Sequence, residues 1–130
     1  MGRTSSAIYE IKKEVTVTGT LGQKKIEALF DSGSGTSLIK EDVAKEIGNI
    51  ITAPGRKELI QADGSRFETN KVLPAVLDIK GCSFPTFFWV FPDLQEDLII
   101  GTDIMQNKKI KLDFEKDDVD VSECTPWDRV

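Results

Sequence analysis

Ala28-Leu29-Phe30-Asp31-Ser32-Gly33 opens the stretch that decides the fold, and Ser34-Gly35-Thr36-Ser37-Leu38-Ile39 completes it. The apolar residues before the aspartate predict a buried strand, and the small residues after it predict a tight turn. This order presents Asp31 at the floor of a cleft, which makes its carboxylate the first candidate for chemistry. Later in the chain, the apolar run Leu98-Ile99-Ile100 ends at Gly101 and predicts a second buried strand.

Charge and apolar patterning exclude two kinds of partner for this 130-residue chain. It carries 22 acidic and 17 basic residues, a net charge of −5, whereas a nucleic-acid-binding protein needs a basic face. No apolar run approaches the roughly 18 residues that span a bilayer. The first ten residues also lack the apolar core of a signal peptide. We expect no nucleic-acid partner, no membrane segment, and a cytoplasmic location or release from a polyprotein.

The chain contains no histidine, which restricts the chemistry open to it. Ser-His-Asp and Cys-His nucleophile systems are excluded, and a zinc hydrolase site lacks its usual imidazole ligands. Cys82 and Cys124 do not have the spacing of metal ligands. Between one disulfide and two reduced thiols, we expect the reduced thiols. Any hydrolysis must therefore use carboxylates, without a metal or another cofactor.

Short strands dominate the periodicity of the sequence. Residues 15–18 and 26–30 predict a hairpin that delivers Asp31 at its end. Residues 59–72 predict a second hairpin, centred on Asp63-Gly64, a dipeptide that favours a type I′ turn. The continuous apolar run at residues 87–91 predicts a strand buried on both faces.

Two short helices are predicted, at residues 40–47 and at residues 103–108, the second with Thr102 as its cap. The sequence has no linker and no low-complexity segment, so we expect one domain spanning residues 1–130. Its core is expected at about residues 15–121, with terminal extensions at the two ends, residues 1–14 and 122–130.

The two motifs resemble those of the retropepsin-like, single-lobe aspartic peptidases. Asp31-Ser32-Gly33 matches the first motif, and Leu98-Ile99-Ile100-Gly101 matches the second, with a hairpin between them where the family places its flap. The resemblance implies a mainly β fold, a closed acid-protease barrel with one or two short helices. Pepsin-type enzymes carry two such triplets in one polypeptide, but this chain carries one. It would therefore be half of a symmetric enzyme, completed as a homodimer.

The resemblance assigns a role to the candidate residues of both motifs. The Asp31 carboxylates of two subunits would share one proton over a bridging water, one acting as general base and the other as general acid. Ser32 would hydrogen-bond across the dimer, and Gly33 would let the backbone approach the substrate. The second motif would pack beneath the catalytic loop through Ile99, Ile100 and Gly101.

The flap and the residues beside the motifs carry further expectations. The flap tip that closes over substrate would consist of Ala62, Asp63 and Gly64. Ser34 stands where the family most often has alanine, and we expect its hydroxyl to hydrogen-bond Asp31. Thr102 stands where some viral members have arginine, so their ion pair between subunits is not implied. We expect Asp103 to cap its helix or to bond within the domain.

These observations predict a homodimeric aspartic endopeptidase that cuts extended polypeptide with apolar residues around the bond. One alternative of another class remains open, a retropepsin-fold dimerisation or peptide-binding module without catalysis, because a fold does not establish an activity. A further alternative is a monomer that dimerises only within a larger polyprotein.

Overall fold

The computed structural model describes residues 10–60 and 63–125, which form nine strands and two short helices. The first four elements are β1 Glu10–Thr18, β2 Gln23–Asp31, β3 Leu38–Lys40 and α1 Glu41–Ile47. The loop between β2 and β3, residues 32–37, is called the catalytic loop after the family resemblance. The next four are β4 Ile51–Ile60, β5 Arg66–Ile79, β6 Cys82–Phe91 and β7 Leu98–Ile100. The described chain continues with α2 Thr102–Asn107, β8 Lys111–Asp113 and β9 Asp118–Asp120.

Seven of the described strands form one sheet in the order β1-β2-β7-β3-β6-β5-β4. β1 also pairs with β5, placing Val17 opposite Leu77, and this pairing closes six of the strands into a barrel. β4 extends β5 outside the barrel, and β8 and β9 form a separate antiparallel pair. The expected mainly β, closed barrel with two short helices is confirmed.

Apolar side chains fill the barrel because each strand turns alternate residues inward. In β1, Ile11, Val15 and Val17 are buried, whereas Lys12 and Glu14 between them are exposed. Burying an aliphatic or phenyl side chain contributes about 1.5–3 kcal/mol. A slip of one residue in register would reverse this pattern, so the core fixes the pairing of β1 with β2.

The apolar run in β6 is buried mainly on one face, which corrects the expectation of burial on both faces. Phe88 and Val90 are buried in the barrel core, whereas on the opposite face Phe91 is buried in a separate cluster and Phe87 remains 50% exposed. The ring of Phe87 meets that of Trp89 edge-on, with the ring centroids 6.0 Å apart. Here only one face of β6 lines the barrel, so the outward ring packs against a neighbour on its own strand.

The second hairpin is confirmed, but its turn is not of type I′. Ile60 pairs with Arg66, so five residues connect the strands. Gly64 has φ 88°, whereas Asp63 is absent from the described non-glycine residues with positive φ, and type I′ needs positive φ at both central positions. Instead the Asp63 carboxylate accepts hydrogen bonds from the Ser65 amide at 2.9 Å and its hydroxyl at 2.6 Å, as aspartate does in an Asx turn.

The second helix begins one residue earlier than expected. Its N-cap is Gly101, and Thr102 is already helical. Thr102 therefore contributes no side-chain cap, which corrects that expectation. Among the described residues, no helix has the length and apolar character needed to cross a bilayer.

Cys82 and Cys124 form a disulfide, with their Cα atoms 6.4 Å apart, which corrects the expectation of two reduced thiols. The fold brings these cysteines together from positions 42 residues apart. The Lys80 ammonium, in the turn before β6, donates to the Asp118 carboxylate and to the Val119 carbonyl, both at 2.9 Å. These contacts hold the start of β6 against β9, and Cys124 follows β9 closely.

Removing the disulfide is expected to lower the free energy of unfolding. A bridge that closes a loop of this length restricts the unfolded chain by about 3–4 kcal/mol in the chain-entropy description. The paired substitution Cys82→Ala with Cys124→Ala should therefore shift the urea midpoint downward, as should a reductant added to the wild type. Reductant should leave the urea midpoint of the paired variant unchanged, because that variant has no disulfide to reduce. An identical midpoint with and without the bridge would contradict this expectation.

Candidate active site

The two sequence motifs lie side by side because β7 sits between the strands that flank the catalytic loop. β7 runs parallel to β2, with Phe30 opposite Ile100, and antiparallel to β3, with Leu38 opposite Ile99. The loop from β2 to β3 must therefore cross the end of β7, where Gly101 stands. This topology brings residues distant in sequence into direct contact at the candidate site.

The carboxylate of Asp31 is held by the loop that follows it. Its Oδ1 atom accepts a hydrogen bond from the Gly33 amide at 2.8 Å. The Asp31 carbonyl accepts a second bond from the Ser34 amide at 3.1 Å, which closes the turn. A Cβ atom at Gly33 would lie 3.2 Å from Asp31 Oδ1, a tight approach that glycine avoids. Asp31 is half-buried, so the loop orients an acid that is still accessible.

The Ser34 hydroxyl does not make the hydrogen bond to Asp31 that the sequence predicts. Its Oγ atom donates to the Thr36 carbonyl at 2.8 Å and receives the Thr36 amide at 3.4 Å. The expected hydrogen bond to Asp31 is therefore replaced by bonds within the loop. A serine hydroxyl can bond backbone groups two residues ahead without rearranging the turn, which explains this preference.

Gly101 is in direct contact with the backbone of the catalytic loop. The Thr102 amide donates to the Ser34 carbonyl at 2.8 Å. A Cβ atom at Gly101 would lie 2.6 Å from the Ser34 oxygen and 2.8 Å from the Thr36 oxygen. These distances leave no room for a side chain, so the glycine allows β7 to support the loop from below.

Gly101→Ala is expected to destabilise the protein, since the new methyl group meets backbone atoms that a side-chain rotation cannot move aside. Overpacking of this kind costs about 1–3 kcal/mol. Gly35→Ala is the matched control, because a Cβ atom at Gly35 meets no heavy atom within 4 Å. The unfolding temperature should be clearly lower for Gly101→Ala than for wild type and nearly unchanged for Gly35→Ala. Equal unfolding temperatures would contradict the contact described here.

A second apolar cluster lies on the face of β7 opposite the barrel core. Ile100 belongs to the core, whereas Ile99 is half-buried against this other cluster. Its buried members are Leu38, Phe91 and Leu94, and Leu59, Phe67 and Trp89 pack against them. Because Leu59 and Phe67 pair across the stem of the second hairpin, the cluster connects that hairpin to the second motif.

The tip of the second hairpin carries a negative charge. The hydrogen bond from the Ser65 hydroxyl lowers the pKa of Asp63 below its ordinary value, and the bond from the Ser65 amide adds a smaller effect in the same direction. Its carboxylate therefore stays ionised to a lower pH than an ordinary aspartate. Gly64 lies beside it in the turn, and Ala62, the remaining flap residue expected from the sequence, lies outside the described residues.

A groove of about 460 Å³ opens on the α2 side of the catalytic loop. Its lining includes Ser32 of the loop and four residues of α2, β8 and the turn after β8: Thr102, Met105, Leu112 and Phe114. Sequence analysis did not identify the groove. The signal was present in the alternation of Ile110, Leu112 and Phe114, of which the first is buried and the last is 46% exposed.

Comparison with known proteins gives the family. The sequence matches the model of a family described as aspartyl protease over residues 17–104, more than half of the chain and inclusive of Asp31 and Gly101. The chain belongs to the aspartyl protease family. Comparison with curated proteins gave no match.

Two solved structures show which aspartyl protease fold this is. The retroviral protease-like domain of Ddi1 from Leishmania major is 18% identical, with 94% of this chain and 98% of that one covered and a TM-score of 0.69. The EIAV protease in complex with the inhibitor HBY-793 is 21% identical, with 85% and 99% covered and a TM-score of 0.64. At these identities the likeness is one of fold, and the fold is retropepsin-like.

In this member of the aspartyl protease family, the structure brings together most of the residues named from the sequence. Asp31, Ser32, Gly33 and Ser34 form one loop above Gly101. Ile100 packs in the core beneath the loop, but Ile99 turns to the second cluster. Asp63 and Gly64 occupy a separate turn at the tip of the second hairpin.

Proposed function

We propose that the protein is a homodimeric aspartic endopeptidase in which Asp31 from each of two subunits activates one water molecule. The observation that carries the proposal is the carboxylate of Asp31, fixed by the Gly33 amide in a loop supported by Gly101. The chain supplies one Asp-Ser-Gly triplet, and its family hydrolyses peptides with carboxylates. We infer that the second acid comes from a second copy of the chain.

The reaction needs two carboxylates in different protonation states. Two carboxylates a few ångströms apart do not both ionise readily, so the pair holds one proton. The ionised Asp31 removes a proton from the water, whose oxygen attacks the peptide carbonyl carbon. The protonated Asp31 donates to the carbonyl oxygen. Breakdown of the tetrahedral intermediate transfers a proton to the leaving nitrogen and separates a carboxylic acid from an amine.

The groove beside the catalytic loop supports the homodimer. It is adjacent to Ser32 and exposes part of the Phe114 ring, so a small apolar patch is available for contact beside the loop. A two-fold axis places the same patch on both subunits, so this surface must complement itself. An axis close to Ser32 would bring the two Asp31 carboxylates near each other.

The substrate we propose is an extended polypeptide with apolar residues around the cleaved bond. The second apolar cluster, which includes Leu38 and Ile99, lies between the second hairpin and the catalytic motif. Such a surface favours apolar side chains, and an extended backbone pairs readily with a hairpin. The Asp63 carboxylate at the hairpin tip would disfavour acidic residues close to it.

Cleavage of a fluorogenic peptide tests the proposal. A library with apolar residues at its centre should be hydrolysed fastest in acidic to mildly acidic solution, and a statine-type transition-state mimic should block the reaction. Saturable peptide binding without cleavage at any pH would support the alternative of a binding module. In that case the assignment of Asp31 as a catalytic residue would be wrong.

A further inference from the structure

Asp103, on α2, makes a set of hydrogen bonds that reaches the far end of the catalytic loop. Its Oδ2 atom accepts the Ser37 amide at 3.0 Å, and its Oδ1 atom accepts the Ser37 hydroxyl at 2.6 Å. Oδ1 also accepts the Ile104 amide at 2.8 Å, which anchors the carboxylate to its own helix. The Ser37 hydroxyl in turn accepts the Gly101 amide at 2.9 Å. The carboxylate thus joins α2 to the loop, and through the Ser37 hydroxyl also to the glycine that follows β7.

Burial makes this arrangement rigid. Ser37 is fully buried, and it is the one buried polar residue of the described chain. Water does not compete for its hydroxyl, and hydrogen bonds to a charged acceptor are the stronger kind. The hydroxyl is also oriented at both ends, since it donates to Asp103 and accepts from Gly101. A small rotation of Ser37 would therefore break several bonds together.

The loop is consequently fixed at both ends and at Ser34 between them. At one end Asp31 terminates β2, and at the other Ser37 precedes β3 and is held by Asp103. Between them, the Ser34 carbonyl accepts the Thr102 amide from the first turn of α2. Through these bonds α2 contacts both the Ser37 end of the loop and Ser34, whose amide donates to the Asp31 carbonyl.

We propose that Asp103 is a positioning residue, which clamps Ser37 and so sets where Asp31 stands when two subunits meet. This inference rests on the proposed function. Asp103 does not touch the Asp31 carboxylate in any described contact, so its effect on hydrolysis passes through Ser37 and the loop. Misplacing a reacting group by about 1 Å can cost about 10²-fold in rate.

Substitutions at Asp103 separate its charge from its shape. Asp103→Asn keeps the size of the side chain. The carboxylate accepts three hydrogen bonds, and in the variant the amide NH2 group, itself a donor, would face at least one of those three donors. Asp103→Ala removes all three bonds. Asp42→Asn is the matched control, because Asp42 is an exposed acid in the first turn of the other helix.

The kinetic test measures kcat per active site, with sites counted by titration with a tight statine-type inhibitor. This count removes any loss of folded dimer from the comparison. We expect kcat to fall about 10-fold for Asp103→Asn and about 100-fold for Asp103→Ala, with KM within about twofold of wild type. Asp42→Asn should match wild type. An unchanged kcat per site in Asp103→Ala overturns the inference, and Asp103→Asn decides it if the alanine variant does not fold.

A double variant tests whether Asp103 acts through Ser37. Ser37→Ala removes the hydroxyl and should also lower kcat per site. If the two residues form one clamp, Ser37→Ala combined with Asp103→Ala should lose no more than about the larger single effect. Losses that multiply would overturn the assignment of Ser37 as the link.

Hydrogen exchange separates failure of this inference from failure of the proposed function. In Asp103→Asn the amides of Gly33 to Ser37 should exchange about 10-fold faster than in wild type, while core amides of β5 and β6 keep their rates. A wild type that cleaves no peptide would refute the proposed function, and loop exchange would still decide the clamp. Loop amides that exchange at the wild-type rate overturn it.

Discussion

Asp31→Asn should abolish peptide hydrolysis, with kcat/KM reduced at least about 10³-fold, while the chain keeps its fold. The asparagine oxygen can still accept the hydrogen bond from the Gly33 amide, so the loop is preserved. The amide nitrogen, however, neither removes a proton from water nor supplies one to the carbonyl oxygen. The loss is therefore chemical and not structural.

The control for this prediction is Asp42→Asn, which removes one negative charge from an exposed position on α1. Peptidase assays and thermal unfolding should be run on both variants at the same pH. Unfolding temperatures should agree with wild type, and only the Asp31 variant should lose activity. Cleavage retained at near wild-type rate by Asp31→Asn would refute the assignment of this residue as the catalytic acid.

Phe114→Asp should convert the protein to a monomer and remove its activity. The Phe114 ring lies partly exposed on the wall of the groove beside Ser32. Two copies related by a two-fold axis would each place a carboxylate in an apolar contact. A central aromatic residue contributes at least about 2 kcal/mol to an interface, and burying charge adds to that loss. We expect the dimer dissociation constant to rise about 100-fold or more.

Leu21→Asp provides the matched control, because Leu21 is also an exposed apolar side chain, at 62%, but lies in the turn between β1 and β2. Sedimentation equilibrium over a range of concentrations should show dimers for this control and monomers for Phe114→Asp. If the Phe114 variant remains a dimer with wild-type affinity, the groove is not the interface between subunits.

Local pattern was sufficient to predict the elements that carry the candidate site. The apolar run before Asp31 and the alternation in β1 predicted the hairpin that delivers the acid. The apolar run ending at Gly101 predicted β7, and family resemblance placed it beneath the loop. These predictions succeeded because strand formation and core burial follow residue order closely.

The predictions that failed depended on contacts between residues distant in the sequence or on a choice between two similar hydrogen-bond acceptors. Nothing in the spacing of Cys82 and Cys124 reveals that β9 lies against the turn before β6. No element among the described residues covers the Phe87 ring, and strand periodicity does not report whether a strand face will be covered. The Ser34 hydroxyl bonds the Thr36 carbonyl and not Asp31. The expectation that Asp103 bonds within the domain is confirmed, but its partner Ser37, 66 residues away, was not predicted.

The most direct test of a shared active site mixes wild-type subunits with Asp31→Asn subunits and allows them to re-equilibrate at constant total concentration. If one site needs Asp31 from both copies, an equal mixture retains about one quarter of wild-type activity, because only about one quarter of its dimers contain two wild-type chains, while about half are mixed and about one quarter contain two variant chains. We predict that activity follows the square of the wild-type fraction. A linear decrease, with about half of the activity left in the equal mixture, would mean that each chain works alone and would contradict the account.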